Sequence, residues 1–173
     1  MTHGKDISDM LRPLGSKESQ VLLTNSLQVA DVLDWILRQT GPADVFQTTF
    51  SVSEEFLRRL YHFRKDGLVR SASLLIDHKA SNKTVKLWIF ISQVYEQTFM
   101  SDNHSKILLV QGLNGHRVSV ITSQNLTRGN RFESTLITTD PEIFQDLKQE
   151  FDYISQYHSA PIDELLGRNI ETD

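Results

Sequence analysis

Apolar residues recur along the chain at two periods, and the switches between them mark its elements. Val29, Val32, Leu33, Ile36 and Leu37 follow the i, i+3, i+4, i+7, i+8 spacing of one buried helix face. Asn25 or Ser26 can cap that helix, and Gly41-Pro42 stops it. Residues 51–54 spell an S-x-x-E capping box that opens a second helix. It places Phe56, Leu57, Leu60 and Tyr61 inside, Arg58, Arg59, Arg64 and Lys65 outside, and ends at Gly67. Residues 82–93 form a third, with Val85, Trp88 and Ile89 on its apolar side. Between and after these the pattern is strand-like, at 44–50 (DVFQTTF), 71–77 (SASLLID), 106–110 (KILLV), 117–121 (RVSVI) and 134–138. Asn114-Gly115 marks a hairpin between the third and fourth of these runs. Asp140-Pro141-Glu142 then caps a last helix that buries Ile143, Leu147, Phe151 and Ile154.

Strands alternating with helices, followed by a hairpin, predict an α/β fold: a mixed α-β-α sandwich whose mixed sheet is flanked by helices. The chain of 173 residues fits one domain. Residues 1–19 read as a polar lead-in with one helical turn, 20–157 as the folded domain, and 158–173 as an acidic tail, weakly ordered or docked on a partner.

Composition narrows the chemistry. With no cysteine, disulfides, thiolate zinc sites and thiol catalysis are excluded. No apolar run serves as a signal peptide or approaches the roughly 20 residues of a membrane span, so a cytoplasmic protein is expected. The net charge of −4 argues at first against a nucleic-acid substrate. From Asp140 onward, however, nine acids face two bases, which leaves the first 139 residues at +3. Between Ser101 and Glu133, four bases (Lys106, Arg117, Arg128, Arg131) outnumber two acids, so a phosphate-binding face can sit beside an acidic tail.

The candidate chemistry lies in residues 103–134, NHSKILLVQGLNGHRVSVITSQNLTRGNRFES. His104 and Lys106 are two apart at the entry to a strand, where i and i+2 face the same way. Ser123 and Asn125 are two apart where the return strand ends. A tight hairpin brings these two pairs together, with Glu133 close by on the next strand. Lys106 and Asn125 supply cationic and amide donors for a phosphodiester's oxygens. Histidine serves as nucleophile or as general acid, but an in-line displacement wants one on each side of phosphorus.

His-x-Lys, an apolar strand, a hairpin, then Ser-x-Asn and a later Glu resembles the HKD motif of the phospholipase D superfamily, H-x-K-x4-D followed by G-S-x-N. Here Gln111 stands at the motif Asp and Thr122 at the Gly, where its side chain is expected to crowd the pocket. The resemblance implies a phospholipase-D-like domain and a metal-independent phosphodiesterase with no cofactor. Small bacterial members carry one motif and form homodimers around a shared centre. This chain has one motif, so the resemblance implies a homodimer. His104 would be the nucleophile, giving a phosphohistidine, and the second copy's His104 the acid. Lys106 and Asn125 would hold phosphate, and Ser123 and Glu133 would orient the histidines.

A nuclease acting on DNA or RNA is the leading expectation, with Arg117, Arg128, Arg131 and His116 as substrate contacts. Competing expectations are a phospholipid phosphodiesterase and an inactive nucleic-acid-binding or assembly module within a larger system. His116 reads first as an exposed turn residue, His62 as exposed on a helix, and Asp77-His78-Lys79 as a solvated loop. No two histidines are spaced as a metal pair, and G-x-S-x-G is absent.

Overall fold

A computed structural model describes residues 6–164, without the side chains of residues 80–83. Its strands are β1 (Ser19–Thr24), β2 (Ala43–Thr49), β3 (Val69–Asp77), β4 (Gln97–Ser101), β5 (Ile107–Gly112), β6 (Arg117–Thr122), β7 (Glu133–Thr138) and β8 (Ala160–Pro161). They join one sheet in the order β1-β7-β6-β5-β2-β3-β4-β8. Pairing is parallel for β2/β3 and β3/β4 and antiparallel elsewhere. The helices are α1 (Ile7–Met10), α2 (Val29–Thr40), α3 (Glu54–Lys65), α4 (Ser81–Val94) and α5 (Pro141–Tyr157). The expected mixed sheet flanked by helices is present.

Several boundaries moved for local reasons. α2 starts three residues beyond Ser26, because Ser26 is held in a turn by Thr24 Oγ1 (3.1 Å) and Gln28 with Asp31 supplies the capping box. Ser53, not Ser51, caps α3 by accepting from the Phe56 N–H at 3.2 Å. Phe63 then takes the buried place expected of Tyr61, which is exposed. On α4 the buried positions are Thr84, Ile91 and Val94, with Leu87 packed against the core, and Val85 and Ile89 point outward. α5 buries Phe144 and Phe151, while Ile143, Leu147 and Ile154 are half-buried. Three strands went unread, among them β1, which pairs with β7 at the edge of the sheet. β4 follows α4 after a turn, and β8 pairs with β4 beside the buried Ile162, so the start of the acidic segment is part of the sheet. Residues 165–173 of that segment lie outside the described residues.

The two faces of the sheet are covered unequally. Val45, Ala72, Leu74, Ile76, Leu108, Val110, Val118, Val120 and Ile137 form one core with α2, α3 and α4. On the opposite face α5 lies over one end only. There Phe151 meets the Phe46 ring edge-on at 5.7 Å and the Arg117 guanidinium sits 5.9 Å from the Phe144 ring. Nearer the other end, register aligns Val21, Leu136, Ile121 and Ile107 in one row across β1, β7, β6 and β5. Val21 is 76% exposed, its neighbour Leu23 75% and Ile121 38%. No helix among the described residues is long and apolar enough to cross a membrane.

Candidate active site

The β5–β6 hairpin brings the two candidate pairs together. Ile107 pairs with Ile121, and the Thr122 N–H donates to the Lys106 carbonyl at 3.1 Å, extending the ladder past the strand start. His104, Lys106, Ser123, Asn125, Arg131, Phe132 and Glu133 line one open cleft of about 390 Å³ at that end of the sheet. All five residues assigned catalytic roles by the sequence therefore share one cavity.

Lys106 Nζ donates to the His104 carbonyl at 3.0 Å and lies 3.5 Å from His104 Nδ1. The Phe50 ring is tilted against the imidazole, centroids 5.6 Å apart. Among the described residues no protein group hydrogen-bonds His104 Nε2. Asn125 Oδ1 accepts from the Phe50 N–H at 3.2 Å, which turns its amide so that Nδ2 keeps its donors for the cleft. Ser123 Oγ donates to Glu133 Oε2 and accepts from the Ser134 N–H at 3.1 Å. Among the described residues, neither Ser123 nor Glu133 hydrogen-bonds His104. As arranged, the cleft offers one ring nitrogen, one ammonium and one amide NH2 toward a common space, a donor set suited to a phosphoryl group.

The basic residues divide. Arg131 lines the cleft, 86% exposed at its side chain and 4.0 Å from Glu133. Arg128 lies in an adjoining polar groove that shares Asn125, Arg131 and Glu133 with the cleft, and pairs with Glu55 at 3.4 Å. His116 and Arg117 are not brought to the site. The hairpin turn sits at its far end, with Gly112 N donating to the His116 carbonyl at 2.8 Å and Arg117 paired with Gln111. The expectation that they contact substrate overlooked that a hairpin separates its turn from its open end by its whole length. Gln111 is at that same far end, about 17 Å along the strand from Lys106. It faces Asp44 of β2, whose carboxylate is held by Arg70 (2.6 Å) and Ser71 (2.7 Å). An Asp there would oppose a second carboxylate. Thr122 does not crowd the cleft either, since its hydroxyl turns to Ser134 O (3.1 Å) and Thr135 Oγ1 (2.9 Å) on β7.

Sequence reasoning missed Phe132, an exposed aromatic in the cleft, and the buried supports Asp77, Asn103 and Thr49. Asp77, read as a loop residue, is only 2% exposed. Asp77, His78 and Asp102 bring ligand atoms within 4.8 Å of one another. Asp77 already accepts two backbone N–H groups and His78 Nδ1 lies 3.0 Å from the Ser101 carbonyl, so these donors are engaged in holding the loop.

The fold of this chain is shared with several solved structures, a phospholipase D family member among them. NucT from Helicobacter pylori has the same fold, with a TM-score of 0.62 at 11% identity over 83% of this chain and 98% of that one. Nuc, a phospholipase D family member from Salmonella typhimurium, gives 0.58 at 14% identity over the same shares. A polyphosphate kinase from Porphyromonas gingivalis gives 0.60 at 14% identity over 78% of this chain and 25% of that one. No protein-family model matches the chain, and no curated protein matches it in sequence.

Proposed function

We propose that the protein is a metal-independent phosphodiesterase, a nuclease acting on DNA or RNA, whose centre is completed by a second copy of the chain. The observation that carries this reading is the single cleft holding His104, Lys106, Ser123, Asn125 and Glu133 on a fold shared with a phospholipase D family member.

In this reading His104 Nε2 attacks phosphorus. The N–P bond forms as the P–O bond to the leaving group breaks, and the departing alkoxide takes a proton from His104 of the partner subunit. That imidazole then removes a proton from water, whose oxygen displaces His104 and releases the phosphomonoester. Lys106 and Asn125 stabilise the equatorial oxygens in both steps. Ser123 and Glu133, bonded to each other, orient the partner's His104. Arg131 and Arg128 extend the phosphate-binding surface along the adjoining groove.

The uncovered apolar face supports the dimer. Ile121 is two residues before Ser123 on the same strand face, and Phe132 lines the cleft while 71% exposed. The patch of Val21, Leu23, Ile121 and Phe132 thus borders a half-site that has one imidazole. A second copy related by a two-fold axis covers this patch with its own and supplies the missing ring.

The test is incubation of plasmid, single-stranded DNA, RNA and bis-p-nitrophenyl phosphate with the protein in excess EDTA. Cleavage that survives chelation and disappears in a folded His104→Ala variant is expected. Cleavage persisting in that variant would defeat the assignment, and binding without turnover would instead identify a binding module.

A further inference from the structure

His104 and Asn125 reach the cleft from separate segments, one ahead of β5 and one after β6, and nothing in the hairpin alone fixes their spacing. We propose that Asn103 and Thr49 are positioning residues that lock these two segments to the carboxyl end of β2. This inference rests on the reading of the cleft as a phosphodiesterase centre.

The hydrogen bonds converge on β2. Asn103, next to His104 and 7% exposed, donates its N–H to Asp77 Oδ2 at 2.8 Å and its Nδ2 to the Thr49 carbonyl at 3.1 Å. Its Oδ1 accepts from the Ser105 N–H at 3.2 Å. Asp77 is itself fixed, accepting from the Lys79 N–H at 2.7 Å. Both backbone neighbours of His104 are therefore tied down. One residue along β2, the Thr48 hydroxyl accepts from the Ile107 N–H at 3.0 Å and meets Ser105 Oγ at 2.8 Å, fixing the other flank of Lys106.

The same stretch of β2 holds the second segment. The fully buried Thr49 hydroxyl donates to the Ser51 carbonyl at 2.8 Å and accepts from the Leu126 N–H at 3.1 Å, while the next N–H, of Phe50, holds the Asn125 side chain. Thr49 thus bonds the His104 segment through its carbonyl and the Asn125 segment through its hydroxyl. The residue types are demanding. Asn103 must donate to a carbonyl and accept from an amide at once, which neither Asp nor an apolar residue does. Neither Asn103 nor Thr49 lines the cleft, so their loss acts through others. Displacing a reacting group by about 1 Å costs on the order of 100-fold in rate.

The experiment compares Asn103→Ala, Thr49→Val and Thr49→Ser in the full chain, with kcat and KM on bis-p-nitrophenyl phosphate and amide hydrogen exchange followed along the chain. Asn103→Ala and Thr49→Val should each lower kcat about 10–100-fold with KM little changed. Exchange at Ser105, Ile107 and Leu126 should accelerate while the central strands keep their protection. Thr49→Ser, which retains the hydroxyl, should restore kcat and the protection of Leu126. Unchanged kcat in Asn103→Ala, or equal damage from Ser and Val at Thr49, overturns the proposal. If the wild-type chain cleaves nothing, the functional reading falls on its own account. Exchange then decides the lock: unaltered protection at those three amides in folded variants refutes it.

Discussion

Replacing Leu23 by Asp isolates the apolar face from the stability of the single chain. Leu23 is 75% exposed in the isolated fold, so the change should leave monomer stability within about 0.5 kcal/mol. In a dimer that covers the patch the same change is expensive. Fully burying an aliphatic or Phe side chain contributes about 1.5–3 kcal/mol. Scaled by their exposures, Val21, Leu23, Ile121 and Phe132 together offer about 4–8 kcal/mol per copy. Two copies roughly match the 4–15 kcal/mol or more that association costs, so the loss of one contributor shifts the equilibrium visibly. Leu23 accounts for about 1–2 kcal/mol of this per copy, hence about 2–4 kcal/mol per symmetric dimer. That weakens Kd by about 30- to 1000-fold before the desolvation of a carboxylate is counted. Sedimentation velocity across a dilution series measures the shift, with thermal unfolding as the control. Specific activity on bis-p-nitrophenyl phosphate should fall at the concentrations where the variant dissociates. A Leu23→Asp chain that stays as dimeric as wild type, with the same Kd, refutes the assignment of this face.

Other outcomes follow from the same geometry. Gln111→Asp should not raise activity, because position 111 is at the far end of the hairpin; opposite Asp44 it should cost about 0.2–1 kcal/mol by thermal unfolding. His116→Ala and Arg117→Ala should leave kcat/KM on bis-p-nitrophenyl phosphate within about twofold, since neither approaches the cleft; a loss as large as that of His104→Ala would contradict the placement. Tyr95 donates its hydroxyl to the buried Gln47, and burial pushes its phenol well above the usual range. Tyr95→Phe should therefore cost about 1–3 kcal/mol, a fall in Tm of about 2–4 °C per kcal/mol. Burial acts to raise the Glu96 carboxyl, but hydrogen bonds from Arg64 and the Ala72 N–H (2.7 Å) and the Arg64 charge hold it below the usual value. Its stabilisation is present above its unfolded pKa near 4.5 and is lost as pH falls through the lower folded value. Acid unfolding of Glu96→Gln should show a correspondingly weaker pH dependence below about pH 4.5.

The parts of the fold legible in the sequence are those where one face is buried and local chemistry agrees. The α2 stripe and the Asn114-Gly115 hairpin are cases, and the hairpin was enough to show that the His104/Lys106 and Ser123/Asn125 pairs come to the same end of the sheet. What stayed hidden depends on tertiary partners. β4 is five residues long and follows α4 without a breaker, so its strand state comes from pairing with β3. Val85 and Tyr61 had helical spacing but face outward, because which stripe is buried is set by what packs against the helix. Asn103 and Thr49 read as ordinary polar residues; only the approach of β2 to the loop ahead of β5 reveals their bonds. His116 and Arg117 were misplaced because their chemistry was weighed without the length of the hairpin.

The central claim is that one centre draws His104 from two copies, and mixing tests it most directly. Wild-type and His104→Ala chains are combined at fixed total concentration, exchanged to equilibrium, and assayed on bis-p-nitrophenyl phosphate in EDTA. If each centre needs both imidazoles, activity falls as the square of the wild-type fraction, to about one quarter in an equal mixture. Activity proportional to the wild-type fraction, one half in that mixture, would mean that each chain works alone and would contradict the account.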